Sequence, residues 1–170
     1  MDHAPTMSLT DIQQGDLLAW SHDSYNTFSN FVIRAIAYMT HSEYGHVGIA
    51  WRSHDGISDE LFVVEATMPK IHISRATENR DLYCVPMKVE WGEHNKHFLM
   101  DKIGLPYSIS DGIRAYFGLP AKRNDRWQCA ELAHAFYQES GILLPEQFTP
   151  SQVVSNAQRH LEAPVYRVVL

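Results

Sequence analysis

Short apolar runs separated by polar turns recur through the first half of the chain and predict a β-sheet. Gly15-Asp16 followed by Leu17-Leu18-Ala19-Trp20 is typical of a turn that leads into a buried strand. The run His46-Val47-Gly48-Ile49-Ala50-Trp51, a turn at His54-Asp55-Gly56 and the apolar segment 61–67 together predict a β-hairpin. Further strands are expected over residues 70–74, 82–87 and 165–169.

The register of this hairpin determines which polar side chains meet. If Gly56 lies near the centre of the turn, His46 comes opposite the region of Glu65 and Ala66. The pattern therefore predicts a carboxylate beside a histidine at the start of the strand.

Apolar spacing of three and four residues predicts helices between and after these strands. One is expected over 28–39, with cap candidates over 24–27, and another over 95–104. Ser110-Asp111-Gly112-Ile113 is expected to be a loop or a broken helix. A helix from Cys129 to a cap at Gly141 and a short helix from Thr149-Pro150-Ser151 to about His160 complete a single α+β domain over residues 1–170.

Cys129 stands at the start of the helical pattern, on the same stripe as Leu132, Ala133, Phe136 and Tyr137. The unpaired N–H groups and the positive end of the dipole at a helix N-terminus favour thiolate over thiol, and the thiolate is the nucleophile. The alternative is that Cys129 is a buried packing residue, as most lone cysteines are.

Composition narrows the class of protein without identifying it. The two cysteines, Cys84 and Cys129, form no C-x-x-C pair, so neither a zinc ribbon nor a disulfide scaffold is expected, and Cys84 is interpreted as structural. A bridge between the two would consume the nucleophile. The net charge of −6 and the absence of a basic block longer than Lys122-Arg123 argue against nucleic acid as a partner.

No export or anchoring signal is recognised in the chain. The segment 1–6 has neither a basic nor an apolar region, and the apolar stretch 28–39 contains Asn30 and Arg34 and is too short to span a bilayer. We therefore expect a cytoplasmic protein without an integral membrane anchor, with delivery by a phage or another non-classical route left open.

Several other residues have ordinary explanations. His46 could be a histidine at the sheet edge that caps a loop, and Glu65 could be a solvated residue of a half-exposed strand. Glu131 is interpreted as a helix-surface acid that points away from Cys129. No metal site and no cofactor are expected, because the histidines that could be grouped lack usual zinc spacing; they are His41, His72, His94 and His97.

Five short motifs carry a resemblance to a known family. In chain order they are Gly15-Asp16-Leu17-Leu18, His46-Val47-Gly48-Ile49, Val64-Glu65-Ala66, Cys129-Ala130-Glu131-Leu132 and Thr149-Pro150-Ser151. With the histidine strand before the cysteine helix, the chain resembles the circularly permuted branch of the NlpC-type papain-like cysteine hydrolases, which includes the permuted amidases and the lecithin:retinol acyltransferase-like proteins. The resemblance implies a permuted papain-like fold in which an antiparallel sheet packs against the nucleophile helix.

The resemblance also assigns roles. It makes Cys129 the nucleophile, His46 the general base that later protonates the leaving group, and Glu65 the residue that orients the imidazole. Many relatives have histidine, asparagine or glutamine in the third position, so Asp16 or a backbone carbonyl remains an alternative to Glu65. The oxyanion would be met by the backbone N–H of Cys129 and by one further donor, for which the candidates are Tyr25, Tyr44 and Gln128.

Two classes of function remain at this stage. The first is a cysteine amidase or peptidase whose substrate is a bacterial cell-wall peptide or a small acyl-amide, or, as an alternative, an acyl hydrolase or acyltransferase directed at lipid. The second is an idle relative that only binds a ligand on the same fold. A peptide amide is favoured because segment 163–170 could not span a bilayer, whereas lipid-acting relatives usually carry an anchoring tail.

Overall fold

Strands from both halves of the chain build one sheet. The computed structural model describes residues 4–21, 43–54, 59–76, 81–116, 125–145 and 149–169. In these residues the sheet has seven strands, in the order β1-β7-β6-β2-β3-β4-β5. The strands are β1 (Thr6–Ser8), β2 (Leu17–Ser21), β3 (Tyr44–His54), β4 (Asp59–Ala66), β5 (Ile71–Arg75), β6 (Leu82–Val85) and β7 (Tyr166–Val169).

Nearly all neighbouring strands are antiparallel, and the four strands from the middle of the sheet to one edge, β2 to β5, are consecutive in sequence. β2 pairs with β3 and β6, β3 with β4, and β4 with β5, all antiparallel. The exception is the parallel pair of β1 and β7, where Met7 lies opposite Val168. The two ends of the described chain thus meet at one edge of the sheet.

Four α-helices are described, and the third begins at the candidate nucleophile. The helices are α1 (Glu93–Lys102), α2 (Ile109–Tyr116), α3 (Cys129–Glu139) and α4 (Pro150–Leu161). Thr149 caps α4 through its side chain, with Pro150 at the first helical position. Gly141 follows α3 with φ of +78°, the left-handed conformation that ends many helices and that glycine adopts without steric cost.

Apolar side chains form two core clusters. The larger one joins alternate residues of the sheet, such as Val47, Ile49 and Val64, to apolar residues of α3 and α4, such as Phe136 and Val153. The second cluster contains the strand residues that alternate with those of the first. Among them are Leu18, Trp20, Ala50 and Val63. Because successive strand residues point to opposite faces, the two clusters correspond to the two faces of the sheet.

The expected α+β class is confirmed as a mixed fold with a seven-stranded sheet and four helices in the described residues. The strand that carries His46 begins at Tyr44, two residues earlier than expected, and β1 was not expected. The helix expected over 28–39 and its caps over 24–27 lie outside the described residues. Of the turn expected at 54–56, His54 ends β3 and residues 55–56 also lie outside them.

The expectation of a loop or broken helix at 110–113 is wrong, because this segment lies inside α2. Gly112 weakens a helix by about 1 kcal/mol relative to alanine, which is why the sequence suggested a break. Ser108 offsets this cost: its hydroxyl accepts a hydrogen bond from the Asp111 N–H at 3.2 Å and donates one to the Asp111 carboxylate. This reciprocal arrangement resembles a capping box and stabilises the first turn.

The turn before β2 is held by a buried carboxylate. Asp16 is 3 % exposed, and it accepts hydrogen bonds from the N–H groups of Gln13 at 2.8 Å and Met87 at 2.9 Å. The Cys84 thiol lies 3.9 Å from the same carboxylate and donates to it. Burial raises the pKa of Asp16, although these hydrogen bonds oppose the shift. Asp16 therefore accepts hydrogen bonds that hold the turn and β6 in place. None of its described contacts is with His46.

We predict that Asp16→Ala lowers the free energy of unfolding by about 3 kcal/mol, because it leaves the buried Met87 N–H without its acceptor. Urea unfolding followed by circular dichroism measures the change. Asp101→Ala, at an exposed position of α1, is the control and should change the free energy of unfolding by less than about 0.5 kcal/mol. Equal effects of the two substitutions would contradict the structural role of Asp16.

Candidate active site

The hairpin of β3 and β4 brings His46 and Glu65 to the same face of the sheet. Ile49 pairs with Val64, so continuing the register sets Gly48 opposite Glu65 and makes His46 its diagonal neighbour. The expected facing of His46 and the region of Glu65 and Ala66 was therefore one residue out, but the two side chains meet. Gly48 leaves room for this contact: a Cβ there would lie 2.4 Å from Val63 Cγ2 and 3.4 Å from Glu65 Cβ.

A short hydrogen bond joins the two side chains. The distance from His46 Nε2 to Glu65 Oε2 is 2.6 Å, and the two residues are 5 % and 2 % exposed. A carboxylate can only accept, so Nε2 carries the proton and donates it. Trp20 packs against the imidazole, with ring centroids 5.3 Å apart. The ring of His46 is therefore fixed in one tautomer and enclosed by packing.

The nucleophile candidate occupies the first residue of α3 and is almost buried. Cys129 is 5 % exposed, and the preceding residue, Gln128, is the N-cap of the helix. The Gln128 carboxamide oxygen accepts a hydrogen bond from the Ala130 N–H at 3.3 Å. The sulfur is thus located where the N–H groups of the first helical turn and the helix dipole favour a negative charge.

Cys129 and His46 are in direct contact. The charge of Cys129 and a side-chain hydrogen bond between the two residues both raise the pKa of His46. Because Nε2 is engaged by Glu65, Nδ1 is the ring nitrogen left to interact with Cys129. The structure therefore brings Cys129, His46 and Glu65 together in the linear order that sequence analysis expected for nucleophile, base and orienting group.

Electrostatics favour the charged forms of His46 and Glu65. Burial alone would lower the pKa of His46, but the negative charge of Cys129, the hydrogen bond to it and the contact with Glu65 outweigh burial and raise the pKa from 6.5 to about 9. Burial alone would raise the pKa of Glu65, but His46, Ser74 and His72 outweigh it and lower the pKa from 4.5 to about 2. At neutral pH the arrangement therefore favours an imidazolium at His46 and a carboxylate at Glu65.

Sequence reasoning did not identify three residues that support this cluster. Ser74 donates a hydrogen bond to Glu65 Oε1 at 2.5 Å, and His72 Nε2 lies 3.6 Å from the same oxygen. Ser151 in the first turn of α4 accepts a hydrogen bond from the Tyr44 N–H at 2.9 Å, two residues before His46. The motif around Ser151 was noticed, but its contact required knowledge of how α4 packs on β3.

Two of the three side-chain candidates for the oxyanion site are described. Tyr44 is 7 % exposed, and its ring packs edge-on against Tyr83 with centroids 5.5 Å apart. Burial, with contributions from Glu43 and Tyr83, raises the pKa of Tyr44 to about 12, so its hydroxyl stays protonated and can donate near neutral pH. The side-chain oxygen of Gln128 caps α3. The N–H groups of the same side-chain amide are therefore the atoms through which Gln128 can donate to an oxyanion. Tyr25 lies outside the described residues.

The interpretation of Glu131 as a solvent-facing acid needs correction. Glu131 is half-buried, and its carboxylate lies 3.4 Å from the Gln128 N–H, from which it accepts a hydrogen bond. Burial, with repulsion from Asp111, raises the pKa of Glu131 to about 7. It thus completes the cap of α3 instead of pointing into solvent, because the residue three positions after an N-cap can reach back to the cap's backbone.

Both cysteines are free thiols, so the alternative of a Cys84–Cys129 bridge is wrong. Cys84 is fully buried, and burial together with the negative charge of Asp16 raises its pKa. Within the described part of the chain, no group of three or more histidine, cysteine, aspartate or glutamate residues could hold a metal ion. None of the helices in those same residues is long and apolar enough to cross a membrane.

Comparison with models of known protein families finds no match to this chain, and comparison with curated protein sequences finds none either.

We predict that iodoacetamide modifies Cys129 at least roughly 100-fold faster than Cys84 at pH 7, because the thiolate is the reactive form. Cys129 begins a helix and interacts with His46, whereas burial beside Asp16 raises the pKa of Cys84. Peptide mass spectrometry of the folded protein measures both rates, and Cys84 serves as the internal control. Similar rates for the two thiols would mean that Cys129 is a packing residue.

We also predict that the imidazole of His46 titrates near pH 9 and that Cys129→Ala lowers this midpoint, because the substitution removes the negative charge that most raises the pKa. Glu65→Gln should lower it as well. Nuclear magnetic resonance of the histidine ring protons measures the titration, with exposed His97 as the unaffected control. An unchanged midpoint in Cys129→Ala would show that no charged pair forms.

Proposed function

We propose that the protein is a thiol hydrolase that cleaves an amide bond with Cys129, His46 and Glu65. The observation that carries this proposal is the position of the buried imidazole, which is hydrogen-bonded to Glu65 at 2.6 Å and also interacts with a cysteine at the start of a helix. This is the arrangement that nucleophilic catalysis by cysteine requires: a thiolate, a base in contact with it and a third group that orients the base.

The first half of the proposed reaction forms a thioester. The Cys129 thiolate attacks the carbonyl carbon of the amide, and the carbonyl oxygen takes up the negative charge. The backbone N–H of Cys129, which has no acceptor within its own helix, is placed to stabilise that oxyanion. As the intermediate collapses, the C–N bond breaks and the His46 imidazolium donates its proton to the leaving nitrogen, which departs as a neutral amine.

The second half consumes one water molecule. Neutral His46 takes a proton from the water, whose oxygen attacks the thioester carbonyl. The C–S bond then breaks, which releases a carboxylic acid and restores the thiolate and the imidazolium. Glu65 stays ionised throughout and keeps the proton on Nε2, so that Nδ1 exchanges protons with the reacting groups.

A resemblance to permuted NlpC-type cysteine hydrolases supports the choice of reaction and of fold. The motifs around His46, Glu65 and Cys129 that carry this resemblance are the segments that meet in the cluster. We propose on this basis that the chain has the permuted papain-like fold and that its substrate is a small peptide or acyl-amide, most simply an amide of a bacterial cell-wall peptide. The net charge of −6 agrees with this choice, because it opposes docking on anionic lipid surfaces.

We predict that purified protein releases a free amine from cell-wall peptide fragments or acyl-amino-acid amides and that Cys129→Ala abolishes the release. Glu65→Gln should lower kcat at least about tenfold, because the imidazole loses the acceptor that fixes its tautomer. Glu60→Gln, a partly exposed glutamate of the same strand, is the matched control and should leave kcat unchanged. Amine release is followed by a fluorogenic amine reagent.

Other outcomes would replace the proposal. Cleavage of long-chain acyl esters alone, with every peptide left intact, would assign the site to lipid. If Cys129 reacts no faster than Cys84 and no substrate is cleaved, the chain is a binding protein on this fold. A Glu65→Gln variant as active as the wild type would mean that another group orients His46.

A further inference from the structure

The carboxylate of Glu65 has two oxygens, and only one of them serves His46. Oε2 accepts the hydrogen bond from His46 Nε2, whereas Oε1 faces Ser74 and His72 on the neighbouring strand. Glu65 is 2 % exposed, so water cannot satisfy an oxygen that loses its protein partner. The groups on Oε1 therefore influence where the carboxylate points.

The pairing of β4 with β5 puts both groups on the face of the sheet that carries Glu65. His72 lies directly opposite Glu65, and Ser74 lies opposite Val63, two residues before Glu65 on β4. The hydroxyl of Ser74 is 2.5 Å from Oε1, which is within the range of a strong, charge-assisted hydrogen bond. A carboxylate oxygen cannot donate, so Ser74 is the donor.

His72 is a more distant partner of the same oxygen. Its Nε2 lies 3.6 Å from Oε1, beyond hydrogen-bond distance, and its Nδ1 lies 3.1 Å from the Lys70 carbonyl oxygen and 3.4 Å from the Thr67 hydroxyl. The Ser74 hydroxyl, at 2.5 Å, therefore makes the short hydrogen bond to Oε1, whichever nitrogen of His72 carries a proton.

We propose that Ser74 is a positioning residue of the active site: by holding Glu65 Oε1, it keeps Oε2 directed at His46 Nε2. This inference rests on the proposed hydrolase function and adds one residue to Cys129, His46 and Glu65. Without the hydroxyl, Oε1 loses its hydrogen bond at 2.5 Å and keeps the longer contact with His72 at 3.6 Å, and rotation about the side-chain bonds allows the carboxylate to leave His46. The imidazolium then loses its partner, and the thiolate loses the imidazolium that stabilises it.

The first measurement is turnover of the amide substrate by Ser74→Ala, Ser74→Thr and the wild type. Ser74→Ala should lower kcat about tenfold, the effect expected for loss of one hydrogen bond to a charged group. KM should change little, since Ser74 acts through Glu65 and His46. Ser74→Thr keeps the hydroxyl on a half-exposed strand that tolerates a β-branched residue, and it should restore kcat. Ser53→Ala, a serine of β3 that lies opposite Glu60, is the matched control.

The second measurement needs no substrate and follows the rate of Cys129 alkylation by iodoacetamide against pH. In Ser74→Ala the acid limb of this profile should move to higher pH by roughly one unit, which corresponds to a tenfold loss of the charged pair. Ser74→Thr and Ser53→Ala should keep the wild-type profile. Thermal unfolding of all four proteins identifies any variant that fails to fold. If Ser74→Ala does not fold, Ser74→Val against Ser74→Thr carries the test, because the two side chains have a similar shape and differ in the hydroxyl.

The outcomes separate the two proposals. If Cys129 is alkylated rapidly and Ser74→Ala matches the wild type in both kcat and profile, the positioning role is wrong while the hydrolase stands. If the profile shifts but no peptide is cleaved by any variant, the substrate assignment is wrong and Ser74 keeps its role. If wild-type Cys129 reacts no faster than Cys84, the hydrolase proposal and the inference from it both fail. A Ser74→Thr variant as impaired as Ser74→Ala would also overturn the role, because the hydroxyl would then be irrelevant.

Discussion

A carboxylate almost removed from solvent, near the end of the strand next to the sheet edge, is the constraint around which this structure is arranged. Burying an ionised group costs several kcal/mol unless hydrogen bonds and opposite charge compensate for it. Glu65 is compensated on both oxygens, by His46 on one side and by Ser74 and His72 on the other. The lowered pKa of the acid and the raised pKa of His46 have the same origin, since each stabilises the charged form of its neighbour. Removing His46 or Glu65 takes from the other buried residue part of the interactions that compensate its charge.

Much of this cluster could be predicted because its main contacts follow from local sequence. The helix that starts at Cys129 was recognisable from its apolar stripe, and the β3–β4 hairpin from alternation around a glycine turn. The expected register was wrong by one residue, yet His46 and Glu65 still meet, because diagonal neighbours on antiparallel strands are within reach of long side chains. Local patterning thus sufficed to propose the partners, although it could not fix their geometry.

The rest depended on pairings between distant segments, for which a single sequence carries no signal. Ser74 reaches Glu65 only in the register that β5 adopts on β4, and Ser151 reaches β3 only because α4 packs there. The parallel contact of β1 with β7 joins segments from opposite ends of the described chain. In α2, a serine cap offset the helix-breaking tendency of Gly112, a balance that the composition of the segment alone does not decide.

The distribution of the cluster along the chain also has a consequence during synthesis on the ribosome. The base and its carboxylate lie in a hairpin of the first half, whereas the sulfur is added with α3, much later. A nascent chain that ends before α3 contains His46 and Glu65 but not Cys129. The proposed nucleophile can therefore meet its base only after α3 has been synthesised and packs on β3, a contact between distant parts of the chain.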